Sequence, residues 1–257
     1  MNKRRFMLRV LLAALPLIPS LSTGLRADDG KQHYADVVAQ DEPSLWWRMS
    51  SDGEGSVINQ GSAASEELPL SAEVVGKVDL DPPGPAGEEF PDFDGENQAI
   101  DLPKGPNFLR VVDPGADSPL DFGNGDELTI EAWVKPVANP GVGFGYIIGK
   151  GRTLNSGFSG RNQNYSLRLA YARGSARLSF YFVDDETPHG DGTNADGHRW
   201  TSTRDLAVDG RWHHVALVYR FGEPETIRAY IDGEESNGKW DLAGPTKKRP
   251  VVDDDEL

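Results

Sequence analysis

The chain has 257 residues, no cysteine, and 26 Lys and Arg against 41 Asp and Glu, a formal net charge of −15. An acidic surface repels nucleic acid and anionic membranes. Without cysteine there is no thiol nucleophile, no Cys-ligated zinc and no disulfide framework, so a protein of this length must hold itself together by a core.

The first residues read as an export leader. Lys3, Arg4, Arg5 and Arg9 flank an apolar run, Val10 to Ile18, and Leu25-Arg26-Ala27 offers a cleavage site before Asp28. The run is shorter than the about 20 residues that a bilayer span needs. Residues 1–27 therefore read as a cleaved signal peptide, with an uncleaved anchor as the alternative. Cleavage removes five basic residues and no acidic one, leaving 21 Lys and Arg against 41 Asp and Glu, a balance of −20. The mature protein is expected to be secreted, periplasmic or at the cell surface, with no membrane contact beyond the leader.

Beyond the leader, helix signals are nearly absent. Gly and Pro punctuate the chain, and the segments between them alternate with period two. Residues 28–89 read as a lead-in: one strand at "SLWWRM" (Ser44–Met49), then a long polar loop from Glu54 to Gly87 with one weak strand near Val74–Val78. "EFPDFDGENQAIDLP" (Glu89–Pro103) reads as two short strands joined at Asp94-Gly95, and Lys104 to Gly125 as loop. In "ELTIEAWVKP" (Glu127–Pro136), Leu128, Ile130, Ala132 and Val134 share one face. "GYIIGKG" (Gly145–Gly151) reads as a buried strand, and "YSLRLAYARGSARLSFYFVD" (Tyr165–Asp184) as a hairpin turning near Arg173-Gly174-Ser175. Strands at "RWTSTRDL", "RWHHVALVYRF" and "TIRAYIDGEE" follow, and "RPVVDDDEL" reads as the start of another. Many short strands with turn residues between them imply an all-β sandwich or barrel.

"LTIEAWVKP", "YIIGKG", "YSLRLA", "DGRWHHVALVY" and "IRAYIDGE", in that order and spacing, resemble the laminin-G-like domains of the concanavalin A-like lectin/glucanase superfamily. The resemblance covers residues 90–257. It implies a two-sheet antiparallel jelly-roll β-sandwich. "YADVVAQDEPSLWWRM" (Tyr34–Met49) resembles the lead-in found before such domains in exported bacterial proteins. Domains of this family continue past a strand like "DDDEL" with a glycine turn and a closing strand, so the chain is expected to be a fragment lacking its last strands.

The candidate chemistry centres on Trp212-His213-His214. In a strand, Trp212 and His214 point to one side and His213 to the other, so the two His cannot ligate one metal together. Trp212 is expected in the core, with one His bonded to a backbone or carboxylate group; Trp133, His214, Tyr230, Asp232 and Gly233 are likewise read as structural. Glycosidases of this fold resemble one another in an E-x-D-x-x-E strand, and the sequence has none. Glu131 stands alone, so no catalytic residue is assigned.

Calcium is the cofactor the resemblance implies. Relatives bind it at one rim of the sandwich, where Asn162 and Asn164 in "GRTLNSGFSGRNQNY" are the nearest matches, the opposing ligands being expected beyond Leu257. For ligand binding the candidates are Trp200, Tyr171 and Trp240, which would have to be exposed. The expected function is an exported non-catalytic recognition module for carbohydrate or an extracellular protein. The alternative is an accessory domain of a larger exported enzyme or a glycan hydrolase.

Overall fold

The computed structural model describes residues 33–51, 53, 55–80, 82–93, 97–103, 105–115, 117–137, 143–151, 162–172, 174–185 and 196–257, with the backbone alone of Arg5–Val10. The expected leader otherwise lies outside the described residues. Arg5–Val10 is a strand, β1, beside β6 of the larger unit described below. The chain divides into two compact units, one of Val10–Arg110 and one of Met1–Arg9 with Val111–Leu257. The division into compact units falls at Arg110/Val111.

The smaller unit holds a helix, α1 (Tyr34–Gln40), and four strands: β2 (Leu45–Ser51), β3 (Ser56–Asn59), β4 (Ala72–Val75) and β5 (Phe108–Arg110). The helix was not expected. Its seven residues are too few to show a 3.6-residue period, and only Val38 is buried. The His33 N–H donates to Asp36 Oδ2 at 3.3 Å, closing its first turn. Pro43 disfavours helical backbone at the residue before it, and Glu42 leaves the helix with φ 47°. The strands lie in the order β2-β3-β4-β5. Thus the expected loop over 54–87 holds β3 as well as β4, which overlaps the weak strand expected near Val74–Val78, and the loop over 104–125 holds one strand. The two strands expected over 89–103 are replaced by isolated bridges, Asp79 with Asp101 and Pro83 with Gln98; the expected Asp94-Gly95 turn lies outside the described residues.

The larger unit is an antiparallel β-sandwich. One sheet contains β6 (Glu127–Val134), β12 (His213–Arg220), β13 (Arg228–Ile231) and β14 (Glu234–Ser236), in the order β14-β13-β12-β6-β1. The other contains β7 (Gly143–Lys150), β8 (Tyr165–Ala172), β9 (Ser175–Val183), β10 (Gly197–Ser202) and β15 (Gly238–Leu242), in the order β15-β10-β9-β8-β7, with β11 (Leu206–Ala207) paired to β9. The expected two-sheet antiparallel architecture is the observed one.

The core forms where the alternating faces meet. Leu128 and Ile130 of β6 pair with Tyr219 and Leu217 of β12, and all four are fully buried. From the other sheet come Leu167, Leu178, Phe180 and Phe182, also fully buried. The Tyr219 ring lies 5.4 Å from Phe180 and 5.0 Å from Phe221. Each such side chain contributes about 1.5–3 kcal/mol by leaving water. This aromatic centre locks the two sheets face to face.

Two strand expectations are corrected. β7 is only partly buried: Phe144 is 46% exposed and Tyr146 37%, while Lys150 is fully buried. Residues 250–257 form no strand; Pro250 bridges Asp184, Val251 N–H donates to Val183 O at 2.8 Å, and Val111 and Leu257 exchange a pair of backbone hydrogen bonds.

Candidate functional site

The register of β12 sends His213 toward the sandwich interior and His214 to the opposite face, where Glu131 Oε1 stands 3.1 Å from His214 Nε2 and the Trp133 ring lies 5.2 Å away. His213 Nδ1 meets Asp232 Oδ2 at 2.8 Å, and Asp232 Oδ1 accepts from His214 N–H at 2.9 Å. One carboxylate thus ties both residues to the turn between β13 and β14. Trp212 precedes the strand and is only half-buried, with Lys135 Nζ 5.8 Å from its ring centre. Its expected place in the core is corrected: the strand starts one residue later, so the alternation that fills the core does not include it. Tyr230 is half-buried on β13, opposite Ala216. Gly233, at φ 79°, completes the turn with Asp232.

The residues nominated for ligand binding sit elsewhere than expected. Trp200 is 3% exposed, and its ring covers Gly238 so closely that a Cβ there would fall 2.0 Å from Cζ2. Trp240 is half-buried and turned inward, 5.8 Å from the Tyr219 ring, its indole N–H donating to Pro224 O at 3.3 Å. Both pack the core edge and neither offers a free platform. Tyr171 is half-buried against Gly145.

Two solvent-facing aromatics that were not among the expected ligand-binding residues, Phe144 and Tyr146, are on the outer face of the second sheet. Phe144 and Tyr146 lie opposite Ala170 and Arg168 of β8. The register shift between Tyr146 and Ile148 returns Ile148 to the side of Leu167, while Phe144 and Tyr146 point away from the core. Across the sheet, Arg168 pairs with Ser179, and Tyr181 pairs with both Ser166 and Arg199. The Arg168 guanidinium lies 4.2 Å from the Phe144 ring centre, 4.7 Å from Tyr181 and 5.6 Å from Tyr146. Two residues fix this arrangement. Gln163, fully buried, donates to Lys150 O and Tyr165 O and accepts the Tyr146 hydroxyl at 3.1 Å. Gly197 leaves room for Tyr181, whose hydroxyl would stand 2.5 Å from a Cβ there.

The electrostatics of this face are unusual for an acidic protein. Arg199 is neutralised by Asp241, Nε to Oδ1 at 2.6 Å. Arg168 is 6% exposed and has no carboxylate partner among the described residues; Nη2 reaches Ser179 Oγ at 3.4 Å, and Nε has no acceptor. Burial pushes its guanidinium below the ordinary arginine value; Tyr146 and Tyr181 oppose that shift and the nearby Arg199 adds to it. A flat, partly exposed aromatic surface around a desolvated cation can stack sugar rings and hold an anionic or hydroxyl-rich group.

The expected calcium rim is built differently. Asn162 and Asn164 are each 2% exposed, so they are interior rather than solvated-loop residues. The group facing Asn162 comes from within the chain: its amide donates to Asp255 Oδ2. Oxygens from the same segments also hold an ammonium. Lys150 Nζ is bound by Asp113, Asp121 and the Asp253 carbonyl. Among the described residues no group of three or more His, Asp or Glu could hold a metal.

Two antiparallel sheets closed over an aromatic core define a jelly-roll β-sandwich. A family profile described as the concanavalin A-like lectin/glucanases superfamily (Laminin_G_3) matches residues 94–251, and the chain belongs to this family. No curated protein matches the sequence. The family includes enzymes and non-enzymes, and its laminin-G-like domains are often extracellular. Among the described residues no helix is long and apolar enough to cross a membrane.

Proposed function

We propose that this chain is an exported, non-catalytic recognition module that binds carbohydrate through the outer face of β7, β8 and β9. The observation that carries the reading is the pair Phe144 and Tyr146, exposed on rigid strands and backed by Arg168 and Gln163. Aromatic rings held in place lose little entropy on binding and offer flat apolar area to a pyranose face. The core-packing Trp200 and Trp240 play no part in it.

Affinity electrophoresis of the whole chain in gels containing soluble polysaccharides tests the proposal. At least one polysaccharide should retard it, and the Phe144→Ala/Tyr146→Ala double variant should migrate freely while keeping the parent melting temperature. Equal retardation of both proteins would place recognition elsewhere. Release of reducing ends from the retained polysaccharide would favour a hydrolase instead.

A further inference from the structure

We propose that the glycan read by this face carries a carboxylate, and that Arg168 is the residue that reads it. The inference rests on the glycan-binding reading of the face and names the ligand's chemical class.

The argument begins with a charge that the fold leaves uncompensated. A guanidinium taken out of water needs an anion or a full set of acceptors. Arg168 is 6% exposed, yet among the described residues its partners are neutral hydroxyls, those of Ser179 and Tyr146; its Nε has no acceptor and it meets no carboxylate. The chain as a whole has 41 Asp and Glu to choose from. Its neighbour shows the usual solution, since Arg199 is matched by Asp241. Arg168 is surrounded instead by the rings of Phe144, Tyr146 and Tyr181. Their π-faces stabilise the cation and the Tyr146 hydroxyl adds a neutral hydrogen bond, but none of them supplies a counter-charge.

A uronic acid supplies what is missing. Its pyranose ring offers a face to Phe144 and Tyr146. Its carboxylate accepts two parallel N–H bonds from an arginine fork, a geometry a neutral sugar hydroxyl cannot match. The protein's net charge of −15 argues against diffuse attraction of polyanions, so binding has to come from this local pair.

The test uses the whole chain in calorimetric titrations against three carboxylated polymers: polygalacturonate, alginate and hyaluronan. Their methyl-esterified forms keep the sugar and remove the charge. Dextran sulfate and neutral xylan and glucomannan complete the set. The expected result is binding of at least one carboxylated polymer, weakened at least about tenfold by esterification and about tenfold or more by Arg168→Gln. R168Q should also melt no lower than the parent, because a buried unpaired charge has been removed. If R168Q fails to fold, the ¹⁵N resonance of Arg168 Nε in the parent must shift on titration with the bound polymer. Equal binding of the esterified form, parent-like binding by R168Q, or a resonance that does not move overturns the proposal. So does binding of dextran sulfate alone. Neutral polymers bound in a Phe144- and Tyr146-dependent way would leave the carbohydrate platform standing and remove only its acid specificity. No binding by any polymer would remove both.

Discussion

Lys150 Nζ stands 2.7 Å from Asp113 Oδ2, and neither side chain is exposed to solvent. The same ammonium is held by Asp121 and by the Asp253 carbonyl at 2.6 Å. One tethered cation therefore joins the end of β7, the loop before β6 and the segment 250–257. Burial raises the Asp121 carboxyl from its ordinary value; Lys150 opposes that shift, while Asp113 and Asp253 add to it.

Removing the ammonium should be severe. Lys150→Met leaves Asp113 buried without a counterion, and the expected loss is about 3–5 kcal/mol by urea unfolding. The double variant Lys150→Met/Asp113→Leu should recover most of it, because the pair as a whole competes with an apolar replacement. A single-variant loss below about 1 kcal/mol would show that water screens the pair.

Gly238 is required by Trp200. A Cβ at 238 would lie 2.0 Å from Cζ2 and 2.3 Å from Cε2 of a ring that is 3% exposed. Gly238→Ala should destabilise by about 1–3 kcal/mol through overpacking. Trp200→Phe in the same chain should relieve part of the clash. Differential scanning calorimetry of the single and double variants decides it; additive losses would mean the two residues do not interact.

The regular strands were legible because one side of each faces a core: the alternation in Glu127–Val134 and the hairpin of β8 and β9 are written in single residues. The lead-in was less legible. Its helix has seven residues, and its four-residue strands lie among turn residues. The candidate site was hidden for a different reason. A register shift at Ile147 lets "GFGYII" present Phe144 and Tyr146 to solvent and Ile148 inward, so a run that reads as uniformly buried is two-sided. Trp200 and Trp240 were misplaced because residue type does not say which face of an end strand it occupies. Asp232 and Gly233, in contrast, announce their turn by composition alone.

That turn supports a further prediction. Asp232 and Gly233 both adopt positive φ, 53° and 79°, as a two-residue hairpin of the primed type demands. Gly233→Ala should cost about 1 kcal/mol from the backbone alone. Asp232→Ala should cost more, about 2 kcal/mol, since it also releases His213 Nδ1 and the His214 N–H. Asp232→Asn keeps a carbonyl for His214 and should fall between the two. A smaller loss for Asp232→Ala than for Gly233→Ala would mean the carboxylate does not anchor β12.

Two loop carboxylates should give stability opposite dependences on pH. Asp209 accepts from the Arg211 backbone and side chain and from His213, which lowers its pKa to about 2 from an ordinary 3.8. Its contribution is complete above the ordinary value and is lost as pH falls through about 2. Asp255 moves the other way: burial raises it, Asp253 repels its charge, and the Asn162 amide only partly opposes them. Its charged form weakens the fold at neutral pH, and the penalty fades as pH falls through its raised value toward 3.8. Asp255→Asn should therefore raise the melting temperature at pH 7 and have no effect at pH 3. Asp209→Asn should lower it at pH 7, with the difference closing near pH 2. Melting curves of the three proteins across this range give the answer. A lower melting temperature for Asp255→Asn at pH 7 would mean that the Asn162 contact outweighs burial and repulsion by Asp253.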